Sequence, residues 1–191
     1  MEKKYKLTEE TIEVNGITLY RIEAVRDFAN IKKGDKGGFI ENEKNLSQRG
    51  DCWVYENAKV YGKARVFDKT KVRNEAKVLD DAVVYGTARV YDNAKVCGNA
   101  EICSNAQVFG NAEIRGDAVI TSKSDYILFK NWWSSGRFFT WTRSNNMWKV
   151  GCFYGTGKEL IDKAYKDSEM SGEEYERVVK YVEAILKANK L

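Results

Sequence analysis

The sequence predicts a mainly β protein with a repetitive middle, a β-hairpin before it and a small α+β unit after it. Three observations carry this expectation. A six-residue phrase recurs without a break from Gly50 to Thr121. Asn15-Gly16 separates two β-rich runs within TIEVNGITLYRIEAV, a strong signal for a tight hairpin. From Ser122 the repeat stops, and short aromatic runs lead into two stretches of helical spacing. The chain therefore divides into 1–49, 50–121 and 122–191.

The repeat reads, in sixes from Gly50, GDCWVY, ENAKVY, GKARVF, DKTKVR, NEAKVL, DDAVVY, GTARVY, DNAKVC, GNAEIC, SNAQVF, GNAEIR, GDAVIT. The third residue is Ala in ten of the twelve units, with Cys52 and Thr70 the exceptions, and the fifth is always Val or Ile. Residues two apart in an extended segment share a face, so each unit is a short strand with a small and a branched side chain turned inward. Gly, Asp, Asn and Ser begin most units, where the chain must turn. Asn93, Asn99, Asn105 and Asn111 are expected to take left-handed backbone angles there.

This pattern resembles the hexapeptide-repeat, left-handed parallel β-helix family. The resemblance implies three units per triangular coil, with like positions stacked every 18 residues and about four regular coils in all. Its handedness also rests on the resemblance, because it breaks the usual crossover rule. The inward columns become Val54–Val72–Val90–Val108, Val60–Val78–Val96–Ile114 and Val66–Val84–Ile102–Ile120. Such a core is dry and too narrow for an internal ligand.

The ends of a coil stack need covers. On the N-terminal side, Ile40, Leu46 and Cys52 keep the six-residue step, so an irregular first coil is expected from about Gly37, with Lys36-Gly37-Gly38 a turn. The phrases RDF, KKGDKGGFIE and NLS resemble bacterial and phage hexapeptide-repeat proteins that carry transferase-like names, over about residues 5–121. On the C-terminal side, DYILFK, RFFTWTR and MWKVGCF read as three strands. Thr156-Gly-Lys-Glu159 and Ser171-Gly-Glu-Glu174 fit capping boxes that open two helices. Tyr175, Val178, Val179, Val182 and Ile185 mark the second helix's inward face.

The chain has 191 residues, of which 43% are hydrophobic and 31% charged, with no histidine and four cysteines in no C-x-x-C pair. A zinc site of common type is excluded on that count, and reduced thiols are expected. No metal site and no cofactor is called for. The start, MEKKYKLTEE, has no apolar stretch for a signal peptide, so a cytoplasmic location is expected, in a bacterial host if the resemblance holds. A net charge of +4 is too mild to argue for nucleic acid.

Acyltransferases of the resembled family use a histidine base and a loop extruded from the coils, and this chain has neither. Catalysis is therefore not expected; Glu101 and Glu113 could replace the base but read as solvated glutamates. Binding is the expected role, and three features suggest where. Between Tyr126 and Tyr154 ten residues are aromatic, with cations interleaved. Trp132, Trp133, Trp141 and Trp148, with Arg137, Arg143 and Lys149, could stack a ligand or fill a core. The prism is basic from Lys59 to Lys77 and acidic from Asp80 to Asp117, and Lys59, Lys77 and Lys95 should stack in an outward column that would welcome an anion. Outward aromatics after each Val, with Tyr55, Arg73, Tyr91 and Phe109 in one column, predict burial against another subunit or the end domains; by resemblance that subunit belongs to a homotrimer. The expectation is a non-catalytic, phage-encoded oligomer that sequesters an anionic or nucleotide-like molecule or a host defence protein. A protein-interaction scaffold and a divergent acyltransferase are the alternatives.

Overall fold

A computed structural model describes residues 2–131 and 136–189. Its centre is a parallel β-helix of short strands. Each hexapeptide contributes one two-residue strand, from β4 (Trp53–Val54) to β15 (Val119–Ile120). Strands three units apart pair in parallel and build three faces. The first stacks Phe39, Lys59, Lys77, Lys95 and Glu113 as outward neighbours. The second stacks Trp53, Lys71, Arg89 and Gln107. The third stacks Arg65, Val83, Glu101 and Val119. The next residue in each strand points inward, and all the fifth-position Val and Ile side chains are buried, as are the third-position Ala, Cys52 and Thr70. Each such valine contributes roughly 1.5–3 kcal/mol of burial, and the repetition makes the sum large.

The corners differ from the expectation by one position. Positive φ falls on the first residue of every unit, glycine or not: Gly50, Glu56, Gly62, Asp68, Asn74, Asp80, Gly86, Asp92, Gly98, Ser104, Gly110 and Gly116. Asn93, Asn99, Asn105 and Asn111, each second in its unit, are not among the left-handed residues. The geometry gives the first position a further task. Asp68, Asp80 and Asp92 each accept the backbone N–H of a glycine 18 residues on, at 3.0 Å. Asn74 accepts from Asp92 N–H in the same way. The corner side chain thus holds the next coil.

The N-terminal hairpin forms as expected, β1 (Tyr5–Val14) pairing with β2 (Ile17–Ala24) across left-handed Asn15 and Gly16. It then pairs with β3 (Lys36–Ile40), which continues the first face of the prism. Lys36-Gly37-Gly38 is therefore strand and not turn. Both glycines are needed because a Cβ on Gly37 would lie 2.6 Å from Val54 O, and one on Gly38 2.5 Å from Ala58 O. The irregular first coil exists, with Ile40 paired to Val60 and Leu46 bridged to Val66. Cys52, however, takes the third, small-residue position of its unit and not the inward valine position. Beside it lies Lys4, whose wholly buried ammonium donates to Cys52 O at 2.8 Å and Gly50 O at 3.2 Å.

Among the described residues the C-terminal unit has four strands, not three. β16 (Tyr126–Lys130), β17 (Phe138–Thr142), β18 (Met147–Val150) and β19 (Phe153–Gly155) form an antiparallel meander. MWKVGCF splits because Gly151 turns left-handed and lets Phe153 pair back on Val150. α1 (Gly157–Asp167) starts at the expected Thr156–Glu159 capping box. α2 (Glu169–Ala188) starts earlier than expected, with Ser168 as N-cap, so Ser171 is already inside its first turn. Phe139, Trp141, Trp148 and Val150 face the helices and pack with Leu160, Tyr175 and Val179. The sheet's other face meets the last coil, where Thr140 Oγ1 accepts Glu113 N–H and Ser144 Oγ accepts Val119 N–H. Among the described residues no helix is long and apolar enough to cross a membrane.

Candidate anion-binding site

The second prism face concentrates uncompensated positive charge. On β7 (Lys71–Val72), β10 (Arg89–Val90) and β13 (Gln107–Val108) the inward valine fixes the preceding residue outward. Lys71, Arg89 and Gln107 therefore stack in one column, at the ~4.8 Å spacing of paired strands. The residue after each valine forms a second column, Tyr55–Arg73–Tyr91–Phe109. The Arg73 guanidinium lies over the Tyr55 ring, 4.3 Å from its centroid. Tyr91 stacks on Phe109 with centroids 5.4 Å apart and planes at 13°. The Tyr91 hydroxyl donates to Gln107 Oε1 at 3.3 Å. Lys71, Arg73, Asn74, Arg89, Tyr91 and Gln107 line a cleft of about 280 Å³.

Among the described residues no carboxylate lies within ion-pair distance of Lys71, Arg73 or Arg89. The Nε–H of Arg73 is buried and has no hydrogen-bond partner among them. A buried donor left unpaired costs about 1–3 kcal/mol.

The lysine column singled out from the sequence is different. Lys59 and Lys77 do stack, but Lys59 Nζ sits 3.2 Å from Glu75, and Lys95 sits 3.4 Å from Glu113. The Asn57 amide and Lys59 hold the Glu75 carboxyl below its ordinary value. Two of its three lysines thus carry counter-charges of their own, and Lys77 between them has no carboxylate within ion-pair distance among the described residues. Arg73 and Tyr91 fall in the cleft just described. Trp141 and Trp148 are buried in the C-terminal core, with Trp141 Nε1 donating to Asn146. Lys149 is buried against the last coil, 3.4 Å from Glu113. Arg137 and Arg143 are exposed. Arg137 borders a cleft with Glu113, Thr140 and Lys149. Trp132 and Trp133 lie outside the described residues. Lys71, Arg89 and Gln107 were missed by the sequence reading, although an 18-residue step applied to the fourth position finds them.

Candidate chemistry elsewhere is limited. Glu113 is engaged by Lys95, Arg115 and Lys149 at 2.8–3.4 Å, so both its oxygens are already in ion pairs. Glu101 is exposed and lies beside the Tyr85 hydroxyl, whose pKa is raised, chiefly by Cys103 and with a contribution from Glu101. Burial pushes the Cys52 and Cys97 thiols up, against Lys4 and Arg115 respectively, so neither is an activated nucleophile. The cysteines form no disulfide.

No family model matches the chain. Its sequence is similar to that of the uncharacterized acetyltransferase YdcK of Escherichia coli (strain K12), 33% identical over 66 residues. The match covers 30% of this chain and 20% of that protein, so it speaks for a shared segment and not for a whole enzyme. It overturns the expectation that the chain is not an enzyme. Missing histidine argues against one kind of base, and it leaves the similarity to a protein named as an acetyltransferase standing. The match bears on neither phage origin nor sequestration of host molecules. The twelve hexapeptides, the three-faced parallel coil and this similarity together fit the hexapeptide-repeat, left-handed β-helix family.

Proposed function

We propose that this chain takes a phosphate-bearing small molecule on its second prism face, and that the molecule is a coenzyme A thioester serving acetyl transfer. The observation that carries the reading is the convergence of Lys71, Arg73 and Arg89 on one cleft without a carboxylate among them. Guanidinium and ammonium groups recognise phosphate by charge-assisted hydrogen bonds. Tyr91 and Gln107 line the same cleft and add a hydroxyl and an amide to its polar wall. The name of the similar protein supplies the reaction class.

In that reaction an acceptor amine or hydroxyl attacks the thioester carbonyl. The C–S bond breaks as the new C–N or C–O bond forms, and the acceptor's proton ends on the released thiol. The face described here binds and orients the donor, and no side chain is assigned the proton transfer.

Calorimetric titration with acetyl-coenzyme A, coenzyme A and ATP, followed by a thiol-release assay with small amine and alcohol acceptors, tests the reading. Saturable binding of the coenzyme A forms and acceptor-dependent thiol release are expected. ATP binding alone would move the ligand class to nucleotides. Binding of none of the three would sink the proposal.

A further inference from the structure

A second group of uncompensated cations stands at the start of the prism, where the irregular first coil meets the first regular one. Lys44, Ser47, Arg49, Arg65, Phe67 and Asp68 line a cleft of about 440 Å³ there. The three cations are exposed, and among the described residues none has a carboxylate within ion-pair distance. Asp68 is the one acid among the lining residues, and its carboxylate already accepts the Gly86 N–H at 3.0 Å. Three cations against one carboxylate leave the cleft with a surplus of two positive charges.

The hollow has a cause in the stack. The residue after each inward side chain of the third face forms an outward column, in which Phe67 lies on Tyr85 with centroids 5.3 Å apart and planes at 8°. In the irregular coil Leu46 bridges Val66, so Ser47 takes the place next to Phe67 in that column. Its N–H donates to Val66 O at 2.9 Å. A serine fills the place with far less volume than an aromatic ring, and the half-buried Phe67 becomes a wall of the cleft.

The loop that carries Lys44 and Arg49 is fixed from within. The buried Asn45 amide donates to Gly62 O at 3.0 Å and Ala64 O at 2.9 Å, one coil on. The buried Lys4 ammonium donates to Gly50 O at 3.2 Å and Arg49 O at 3.4 Å. Ser47 Oγ accepts the Arg49 N–H at 3.0 Å. The cations thus rise from backbone that is already ordered, which lowers the entropy cost of taking a ligand.

Guanidinium forks meet phosphate oxygens in pairs, and an ammonium adds a compact charge beside them. A phosphate monoester carries about −1.5 to −2 charge at pH 7, which matches the surplus. We propose that this cleft is a site for a small phosphate monoester, with the phosphate on Lys44, Arg49 and Arg65 and the organic body against Phe67. It shares no lining residue with the second-face cleft, and it stands whether or not that face takes a coenzyme A thioester.

Calorimetric titration of the full chain with phenyl phosphate tests it, with phenol as the uncharged control. The native protein should bind phenyl phosphate saturably, and phenol not at all. Arg49→Ala/Arg65→Ala should lose at least about tenfold in affinity, while Lys71→Ala/Arg89→Ala should match the native protein. Both arginines are exposed, so circular dichroism should show unchanged folding. Absence of saturable binding to the native protein would overturn the proposal, as would native affinity in the Arg49/Arg65 variant. Loss in the Lys71/Arg89 variant alone would put the phosphate on the second face and overturn it as well. Phenyl phosphate binding retained where acetyl-coenzyme A does not bind would support this site while removing the second-face reading.

Discussion

Gly98 shows how much one corner residue carries. Its φ is +71°, and a Cβ there would lie 2.9 Å from Gly116 N. Its N–H is also the donor to Asp80. Replacing Gly98 by Ala should cost roughly 1–3 kcal/mol of stability, because an L side chain in this region is strained and here it also meets backbone. Urea unfolding measures this, and an unchanged midpoint would contradict it. Asparagine and glycine tolerate similar angles, so the sequence could not say which of the paired corner residues turns. The distinction appears only when the coils are stacked, because the first residue alone faces the amide 18 positions on. Glu56, left-handed at φ 49°, carries no propensity signal at all.

Asp125 closes the last coil at the same scale. Burial would raise its pKa, but the Thr121 amide and hydroxyl and the Ser122 amide outweigh that and hold it below the ordinary 3.8. A depressed aspartate adds stability that is present above its unfolded value and lost as pH falls through the folded one. The advantage of the native protein over Asp125→Asn should therefore be full at neutral pH and shrink as pH falls below 3.8. Thermal melts of both proteins from pH 7 to pH 3 read the difference; a constant gap would contradict it.

Among the elements, the hairpin was fully legible and its destination was not. Asn15-Gly16 fixes the turn, yet nothing local says that Leu19 packs on Phe39 and Tyr61 across the first prism face. Leu19→Ala should cost about 2–5 kcal/mol, and hydrogen exchange should rise in β1 and β2 while the later coils stay protected. Uniform loss of protection would mean that the hairpin and coils unfold as one unit. The C-terminal helices repeat the lesson. The Thr156 box was readable because both partners fit the spacing, while Ser168 caps its helix without a glutamate three residues on, a signature that only Ser171 shows. The aromatic density of the C-terminal unit had two readings in sequence. Packing gives Trp141 and Trp148 to the core because the sheet is covered by helices on one face and by the last coil on the other.

At the scale of the whole molecule, a repeating core confines chemistry to the faces and ends. The 18-residue stack was legible, and with it every outward column. What the sequence did not reveal is which column is neutralised. Lys59 and Lys95 meet Glu75 and Glu113, whereas Lys71, Arg73 and Arg89 meet no carboxylate among the described residues. That depends on where flexible side chains settle across coils. The same face offers a concrete binding claim, sharper than the absence of histidine, which had pointed away from catalysis altogether.

The measurement that bears most directly on this claim is an acetyl-coenzyme A titration of two charge-matched variants. Lys71→Ala/Arg89→Ala removes two uncompensated cations, and Lys59→Ala/Lys95→Ala removes two that are already paired. The account predicts that the first variant loses at least about tenfold in affinity, as expected for deleting charge-assisted contacts, while the second stays near the native protein. Equal losses in both, or none in the first, would contradict it.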